Sequence, residues 1–194
     1  VDNSVYTFGS YGWEETVQVY DIDKGEWSEG PDLPRGMYWG TAETIGDNIY
    51  LIGGSANGET LSTLYILDTT TLTWSQGADM PSPSQVPASA VYAGEIYVFP
   101  INQKFNPETN SWMPFTSPEI WHGYGSEAVT VGAEIYLIGG SAGNIYQAYE
   151  TTDIYDPVND SWSTSEVLDV GRYQFGAVYA DGKIYSIGGR NGGA

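Results

Sequence analysis

An all-β architecture of repeated four-stranded antiparallel sheets is predicted by three observations. The first is a recurring cassette of the form apolar-Tyr-apolar-apolar-Gly-Gly. It reads Val5-Tyr6-Thr7-Phe8-Gly9, Ile49-Tyr50-Leu51-Ile52-Gly53-Gly54, Ile96-Tyr97-Val98-Phe99, Ile135-Tyr136-Leu137-Ile138-Gly139-Gly140 and Ile184-Tyr185-Ser186-Ile187-Gly188-Gly189. The second is a Tyr-Asp, or near equivalent, followed by Trp: Tyr20-Asp21 to Trp27, Leu67-Asp68 to Trp74, Phe105-Asn106 to Trp112 and Tyr155-Asp156 to Trp162, the acid or amide always six positions ahead. The third is a hairpin signal before each complete cassette. A period of roughly 40 to 50 residues of this kind denotes radially repeated β-structure. Such scaffolds carry unrelated activities, so the architecture leaves function open.

Each repeat reads as four short strands. The first precedes the cassette: Thr41-Ala42-Glu43-Thr44-Ile45, Ala88-Ser89-Ala90-Val91-Tyr92, Glu127-Ala128-Val129-Thr130-Val131 and Gly176-Ala177-Val178-Tyr179. Turns such as Gly46-Asp47-Asn48, Ala93-Gly94-Glu95, Gly132-Ala133-Glu134 and Asp181-Gly182-Lys183 join it to the second strand as a hairpin. The second strand is the cassette itself, whose continuous apolar run suits burial on both faces. The third ends in Tyr-Asp: Val17 to Tyr20, Leu64 to Leu67 and Thr152 to Tyr155. The fourth begins near the Trp. No stretch of 11 or more residues carries a helical apolar period. Prolines 31, 34, 81, 83, 87, 114 and 118 punctuate the links between repeats.

These marks resemble the kelch repeat, a four-stranded blade of a β-propeller, and the resemblance covers essentially the whole chain. It rests on the Gly-Gly pairs, the Tyr-Asp pairs, Trp27, Trp74, Trp112 and Trp162, and on Arg35 and Arg172 ahead of their first strands. Each residue type has a physical reason. A glycine pair lets backbone or a large ring approach closely. Tyr and Trp supply large buried areas between sheets. Asp or Asn before a turn bonds its own backbone two residues on. The resemblance implies that residues 1–194 are part of a single kelch-type β-propeller, incomplete as given, with repeats near 1–34, 35–81, 82–120, 121–170 and 171–194. The third repeat departs from the pattern, with Phe99-Pro100 in place of Gly-Gly and only Ile101-Asn102-Gln103 before Lys104-Phe105-Asn106. Pro100 cannot donate to a ladder and is expected at a strand end.

Val1 aligns with Ile45, Val131 and Ala180, inside a first hairpin, and the chain stops soon after a second strand. The strand tally is therefore three, then three full blades, then two. An open arc exposing half a dozen apolar side chains would cost roughly 10 kcal/mol, at about 1.5–3 kcal/mol each. A whole domain is stable by about 5–15 kcal/mol. The expectation is a piece of a larger propeller, or an arc completed by a partner chain, and not a closed monomer.

Composition narrows function. Six basic residues stand against 25 acidic ones, a formal net charge of −19. That repels phosphate backbones and anionic membranes and lacks the clustered cations of nucleic-acid binding. No apolar run is long enough to span a bilayer. Cysteine is absent, which removes disulfides, thiolate nucleophiles and thiolate metal sites. A Thr/Ser/Tyr-rich, lysine-poor, cysteine-free chain correlates with an extracellular or cell-surface location; the alternative is cytoplasmic.

No constellation commits to catalysis. His122 is the single histidine, without a nucleophile elbow to serve. A Cys-linked Tyr copper site, known in one kelch-type oxidase, has no counterpart. Asp21-Ile22-Asp23-Lys24-Gly25 resembles a calcium loop, but Asp21 is the repeat's own turn residue, matched by Asp68, Asn106 and Asp156. The segments 53–58 and 139–144 look like phosphate cradles but link strand to strand, with no helix or lysine following. Glu14, Glu15, Glu59, Glu119 and Glu150 are read in loops, and no pair is singled out for glycosidic chemistry. Asn159-Asp160-Ser161 is a glycosylation sequon in a surface turn. No metal and no cofactor is expected.

The richest segments are Arg35-Gly36-Met37-Tyr38-Trp39, Ile120-Trp121-His122-Gly123-Tyr124 and Arg172-Tyr173-Gln174-Phe175, each just ahead of a first strand. By resemblance these loops share a face with those between second and third strands, which here include Tyr11, Trp13, Asn57, Asn144, Tyr146 and Tyr149. Aromatics with Arg, Asn and Gln are good binding material. The expected ligand- or partner-binding residues are Arg35, Tyr38, Trp39, Trp121, His122, Tyr124, Arg172 and Tyr173. The expected function is a non-catalytic binding or assembly module with a protein partner or neighbouring subunit. The alternative is a carbohydrate-binding or carbohydrate-active propeller similar to the sialic-acid mutarotases.

Overall fold

The computed structural model describes residues 3–10, 12, 14–142 and 147–192. Tyr11, Trp13, Asn144 and Tyr146, read above as loop material, lie outside the described residues. The chain divides into two compact units, Val1–Gln85 and Val86–Ala194.

The first unit holds a three-stranded sheet, β1 (Ser4–Phe8), β2 (Val17–Asp21) and β3 (Glu26–Glu29). Its four-stranded sheet joins β4 (Thr41–Ile45), β5 (Asn48–Ile52), β8 (Leu64–Asp68) and β9 (Thr73–Gln76). A small hairpin, β6 (Ser55–Ala56) with β7 (Glu59–Thr60), projects from the loop after β5. Its turn is Asn57-Gly58, both at positive φ, the type I′ geometry that matches strand twist. Glu59, expected in a loop, is thus the first residue of a short strand.

The second unit contains two four-stranded sheets in sequential order. One is β10 (Ala88–Tyr92), β11 (Glu95–Phe99), β12 (Gln103–Asn106) and β13 (Ser111–Pro114). The other is β14 (Glu127–Val131), β15 (Glu134–Ile138), β16 (Thr152–Asp156) and β17 (Ser161–Thr164). A two-stranded sheet follows, β18 (Gly176–Ala180) and β19 (Lys183–Ile187). The strand tally matches the expectation, and β11 ends at Phe99, immediately before Pro100.

Register is repeated as closely as sequence. The first Ile of the cassette lies opposite Leu67, Phe105 or Tyr155 on the third strand. Those residues in turn face Trp74, Trp112 and Trp162 on the fourth. Period-2 alternation then aims the Trp74 and Trp162 pairs at a neighbouring sheet of the same unit. In the first unit Trp74 meets Phe8 edge-on at 5.9 Å and donates its indole N–H to the Pro31 carbonyl at 3.0 Å. In the second, Trp162 meets Phe99 edge-on at 5.9 Å and donates to the Thr116 carbonyl at 2.9 Å. One lock therefore serves both units, satisfying the indole while burying its rings. Trp27, the matching residue of the first sheet, is 55% exposed.

The core of the first unit is Val17, Leu33, Met37, Leu51, Ala56 and Leu61. In the second, Ala88 and Ala90 leave room for Tyr97, Phe99, Phe115 and Tyr155 to pack against Ile135 and Leu137. The turn acids behave as read from sequence. Asp68 Oδ1 accepts the amides of Thr70 and Thr71, Asp156 Oδ1 those of Val158 and Asn159, and Asn106 Oδ1 that of Thr109. Asp21 accepts the Lys24 amide and ammonium. The Lys24 ammonium foremost holds the Asp21 carboxyl below the ordinary range, the Thr71 amide that of Asp68, and the Asn159 side-chain amide, 2.6 Å from Oδ2, that of Asp156.

Candidate functional site

The loop entering each first strand is fixed by backbone. Tyr38, Tyr124 and Tyr173 all stand three residues ahead of the strand. Each exchanges two hydrogen bonds with the residue that follows a Gly-Gly pair. Tyr38 and Ser55 do so at 3.0 and 2.7 Å, Tyr124 and Ser141 at 3.0 and 3.0 Å, Tyr173 and Arg190 at 2.9 and 3.0 Å. The amides of Gly54 and Gly140 donate to the carbonyls of Ser84 and Arg172, each four residues ahead of the next first strand, both at 2.8 Å.

This geometry explains the glycine pairs. A Cβ on Gly53 would stand 2.5 Å from the Ser84 carbonyl oxygen, and one on Gly139 2.5 Å from that of Arg172. A Cβ on Gly140 would collide with the His122 carbonyl. All four glycines also hold positive φ. Close approach and left-handed backbone thus both demand glycine there.

The residue two ahead of each first strand is left-handed in every repeat: Trp39 (φ 62°), Val86 (52°), Gly125 (64°) and Gln174 (52°). In the second unit these residues form a backbone chain, Gly125 N–H to Val86 O at 3.4 Å and Gln174 N–H to Gly125 O at 2.7 Å. Only one of the four is glycine, so the feature leaves little trace in sequence.

In the first unit, Trp39 is 45% exposed and packs edge-on against Tyr38, centroids 4.7 Å apart. Beside them Phe8, Gly40 and Leu51 help line a pocket of about 220 Å³. Arg35 is half-buried and pairs with Glu59 at 3.1 Å, so the β6–β7 hairpin anchors its guanidinium.

In the second unit, Trp121 and Tyr124 are exposed and meet edge-on at 6.1 Å. His122 between them points inward and is 1% exposed. Its Nδ1 lies 2.7 Å from the Gly139 carbonyl and its Nε2 3.0 Å from Asp153 Oδ2, while Asp153 Oδ1 accepts the Thr164 hydroxyl at 3.0 Å. Both ring nitrogens thus face acceptor oxygens, the Gly139 carbonyl and the Asp153 carboxylate, which fixes the orientation of the ring. This ring ties the loop to β16, β17 and the Gly-Gly turn. Tyr173 is likewise buried. Arg172 is half-buried and donates to the Gly188 carbonyl at 3.1 Å. Of the eight expected binding residues, His122 and Tyr173 therefore sit behind the surface as supports. Trp39, Trp121 and Tyr124 are exposed, and Arg35, Tyr38 and Arg172 are half-buried.

Asp153 on β16, Thr164 on β17, Ser55 on β6 and Ser141 after the Gly139-Gly140 pair hold these loops, and the sequence does not single them out. Asp153 has a signal in hindsight, as an acid at an inward position of an alternating strand. Among the described residues no group of His, Asp and Glu is arranged to hold a metal, and no helix is long and apolar enough to cross a membrane.

Comparison with known proteins agrees with this architecture. A family model described as the KLHDC2/KLHL20/DRC7 Kelch-repeats domain matches residues 1–189. The chain is similar to human Kelch-like protein 23, 27% identical over 206 residues, covering 96% of this chain and 35% of that protein. It is also similar to N-acetylneuraminate epimerase of Haemophilus influenzae (strain PittEE), 30% identical over 157 residues, covering 73% of this chain and 39% of the enzyme. The chain thus spans little more than a third of these relatives. The solved structure of YjhT superposes with a TM-score of 0.82 at 15% identity, over 95% of this chain and 69% of that one. Repeat, register and family model agree, and the chain belongs to the kelch-repeat family.

Proposed function

We propose that this protein is a non-catalytic protein-binding module whose partner contacts are carried by the loops entering the first strands. The observation that supports it most is the setting of the exposed aromatics. Trp39 with Tyr38, and Trp121 with Tyr124, are edge-packed pairs on loops held by reciprocal backbone hydrogen bonds. Rigid aromatic anchors lose little conformational entropy on binding and dominate interface energies. The net charge of −19 favours a partner with a basic or neutral surface.

The test is cross-linking of the protein to a partner captured from its native extract. The reading expects links at these loops and at least a tenfold loss of capture for Trp39→Ala and Trp121→Ala. Undiminished capture by both variants, folded, would sink it.

A second reading, a carbohydrate-active propeller, draws on the similarity to N-acetylneuraminate epimerase. An acidic sugar requires an available cation. Here Arg35 is engaged with Glu59 and Arg172 with the Gly188 carbonyl, which weighs against that reading. Saturable binding on a glycan array, lost in the same variants, would favour it.

A further inference from the structure

We propose that the Asn57-Gly58 turn is a self-modifying site: the Asn57 side chain converts through a cyclic imide to aspartate and isoaspartate, and the isoaspartate form loosens the loop that carries Tyr38 and Trp39. Asparagine is a chemically labile side chain, and it is most so where the next amide nitrogen reaches it unobstructed. Gly58 has no side chain, and nothing lies within 4 Å of its Cβ direction. Asn57 and Gly58 are both exposed. Among the described residues no hydrogen bond holds the Asn57 side chain or the Gly58 amide. Asn159, in another exposed turn, is instead tied to Asp156 Oδ2 at 2.6 Å and is followed by Asp160.

The reaction consumes only water. The Gly58 nitrogen, its proton lost to solvent base, bonds to Asn57 Cγ. The bond from Cγ to the side-chain nitrogen breaks, ammonia leaves, and an imide ring closes. Water then opens the ring. Cleavage between the nitrogen and Cγ gives aspartate. Cleavage between the nitrogen and the main-chain carbonyl carbon gives isoaspartate, whose backbone runs through Cβ and Cγ. The net change is amide and water to acid and ammonia, with nothing oxidised or reduced. A two-residue turn fixes the register of its hairpin. The extra methylene of isoaspartate therefore unpairs Ala56 from Glu59.

The hairpin is clamped at its base and open at its tip. The Leu61 amide donates to the Gly54 carbonyl at 2.8 Å, and the Ser55 hydroxyl to Gln85 Oε1 at 2.9 Å. Towards the tip stand the Ala56–Glu59 pair and the Arg35–Glu59 ion pair at 3.1 Å, with the Glu59 side chain 71% exposed. So short an element opens locally at low cost, and opening frees the Gly58 nitrogen to swing onto Cγ. The Arg35–Glu59 pair thus gates the reaction. The product acts back on the loop. With Glu59 displaced, Arg35 loses its partner, and the disrupted pair adjoins Ser55, whose two bonds to Tyr38 brace the segment that carries Trp39. The turn is a slow, one-way switch from a braced loop to a loosened one.

The test ages the whole chain in mildly alkaline buffer and follows each asparagine by peptide mapping. We expect amide-to-acid conversion at Asn57, with both aspartate and isoaspartate formed, at least tenfold faster than at Asn159. Glu59→Gln, which removes an exposed ion pair, should speed conversion at Asn57 by about two- to fivefold and leave Asn159 unchanged. Aged protein containing isoaspartate should show faster amide exchange at Tyr38 and Ser55 than fresh protein. Fresh Asn57→Asp protein, which gains the charge without the extra methylene, should exchange there like the wild type. No conversion at Asn57, conversion no faster than at Asn159, or a rate indifferent to Glu59→Gln overturns the proposal. So does unchanged exchange at Tyr38 and Ser55 in the isoaspartate form, or equal loosening by Asn57→Asp.

Discussion

The amide of Gly140 lies 2.8 Å from the carbonyl oxygen of Arg172, across the gap between two successive sheets. The bond exists because Gly140 stands at φ +97° with no side chain, leaving the His122 carbonyl room on its other side. The Gly139-Gly140 pair is thus the joint at which the β14–β17 sheet receives the segment leading to β18.

Replacing Gly140 by Ala is expected to destabilise the protein by about 3 kcal/mol or more, since a left-handed backbone and a backbone collision add. Gly132→Ala, at φ +62° with nothing within 4 Å of its Cβ direction, should cost only about 1–2 kcal/mol. Urea unfolding midpoints of the two variants provide the comparison; equal losses would show that the close approach is unimportant.

Asp160 gathers three donors: the Thr116 amide at 2.9 Å, the Thr116 hydroxyl at 2.8 Å and the Tyr155 hydroxyl at 2.7 Å. The Thr116 amide foremost, then the phenol, hold its carboxyl below the ordinary aspartate value of 3.8. A depressed acid stabilises the fold above its unfolded pKa, and that contribution is lost as pH falls through the folded one. Melting temperature should therefore drop below about pH 4, and Asp160→Asn should flatten part of that drop. The Tyr155 phenol is pushed far up from its usual 10.0, by burial foremost. A raised phenol contributes stability below pH 10 that is lost only in stronger alkali, so Tyr155→Phe should change the alkaline limb. Identical acid limbs for the wild type and Asp160→Asn would refute the assignment.

His122 and Asp153 form a pair in which neither side chain is more than 5% exposed. Removing one partner strands the other. His122→Leu is expected to cost about 3–5 kcal/mol, as for other broken buried pairs, whereas His122→Leu with Asp153→Leu should recover a substantial part. A double variant as unstable as the sum of the two singles would argue against direct coupling.

Strands and turns were legible because their determinants are local. Alternation, the Asp or Asn turn acceptors and the cassette all act within a few residues, and the register Ile135 to Tyr155 to Trp162 follows from them. The Asn57-Gly58 signal is present too, yet in sequence the segment 53–58 shows only a link from strand to strand, not the β6–β7 hairpin. The site was legible in composition but not in orientation. Tyr38 and Tyr173 look alike in sequence, and only the long-range bonds to Ser55 and Arg190 fix how each loop presents its side chains. His122 looked like rim material between two aromatics. Its inward turn depends on Asp153, 31 residues away, which no local pattern announces.

Trp39 offers the sharpest separation of binding from stability. A bulky residue at φ +62° carries strain of about 1–2 kcal/mol, and the same position is Gly125 in another repeat. Trp39→Gly releases that strain but forfeits the edge contact with Tyr38, worth about 0.5–1.5 kcal/mol. The two nearly cancel, so the unfolding midpoint should move by less than the equivalent of about 1 kcal/mol. Partner capture, however, should fall at least tenfold, because the exposed indole is the anchor. A large loss of stability would instead identify Trp39 as a packing residue. Unchanged capture by the folded variant would remove it from the binding surface.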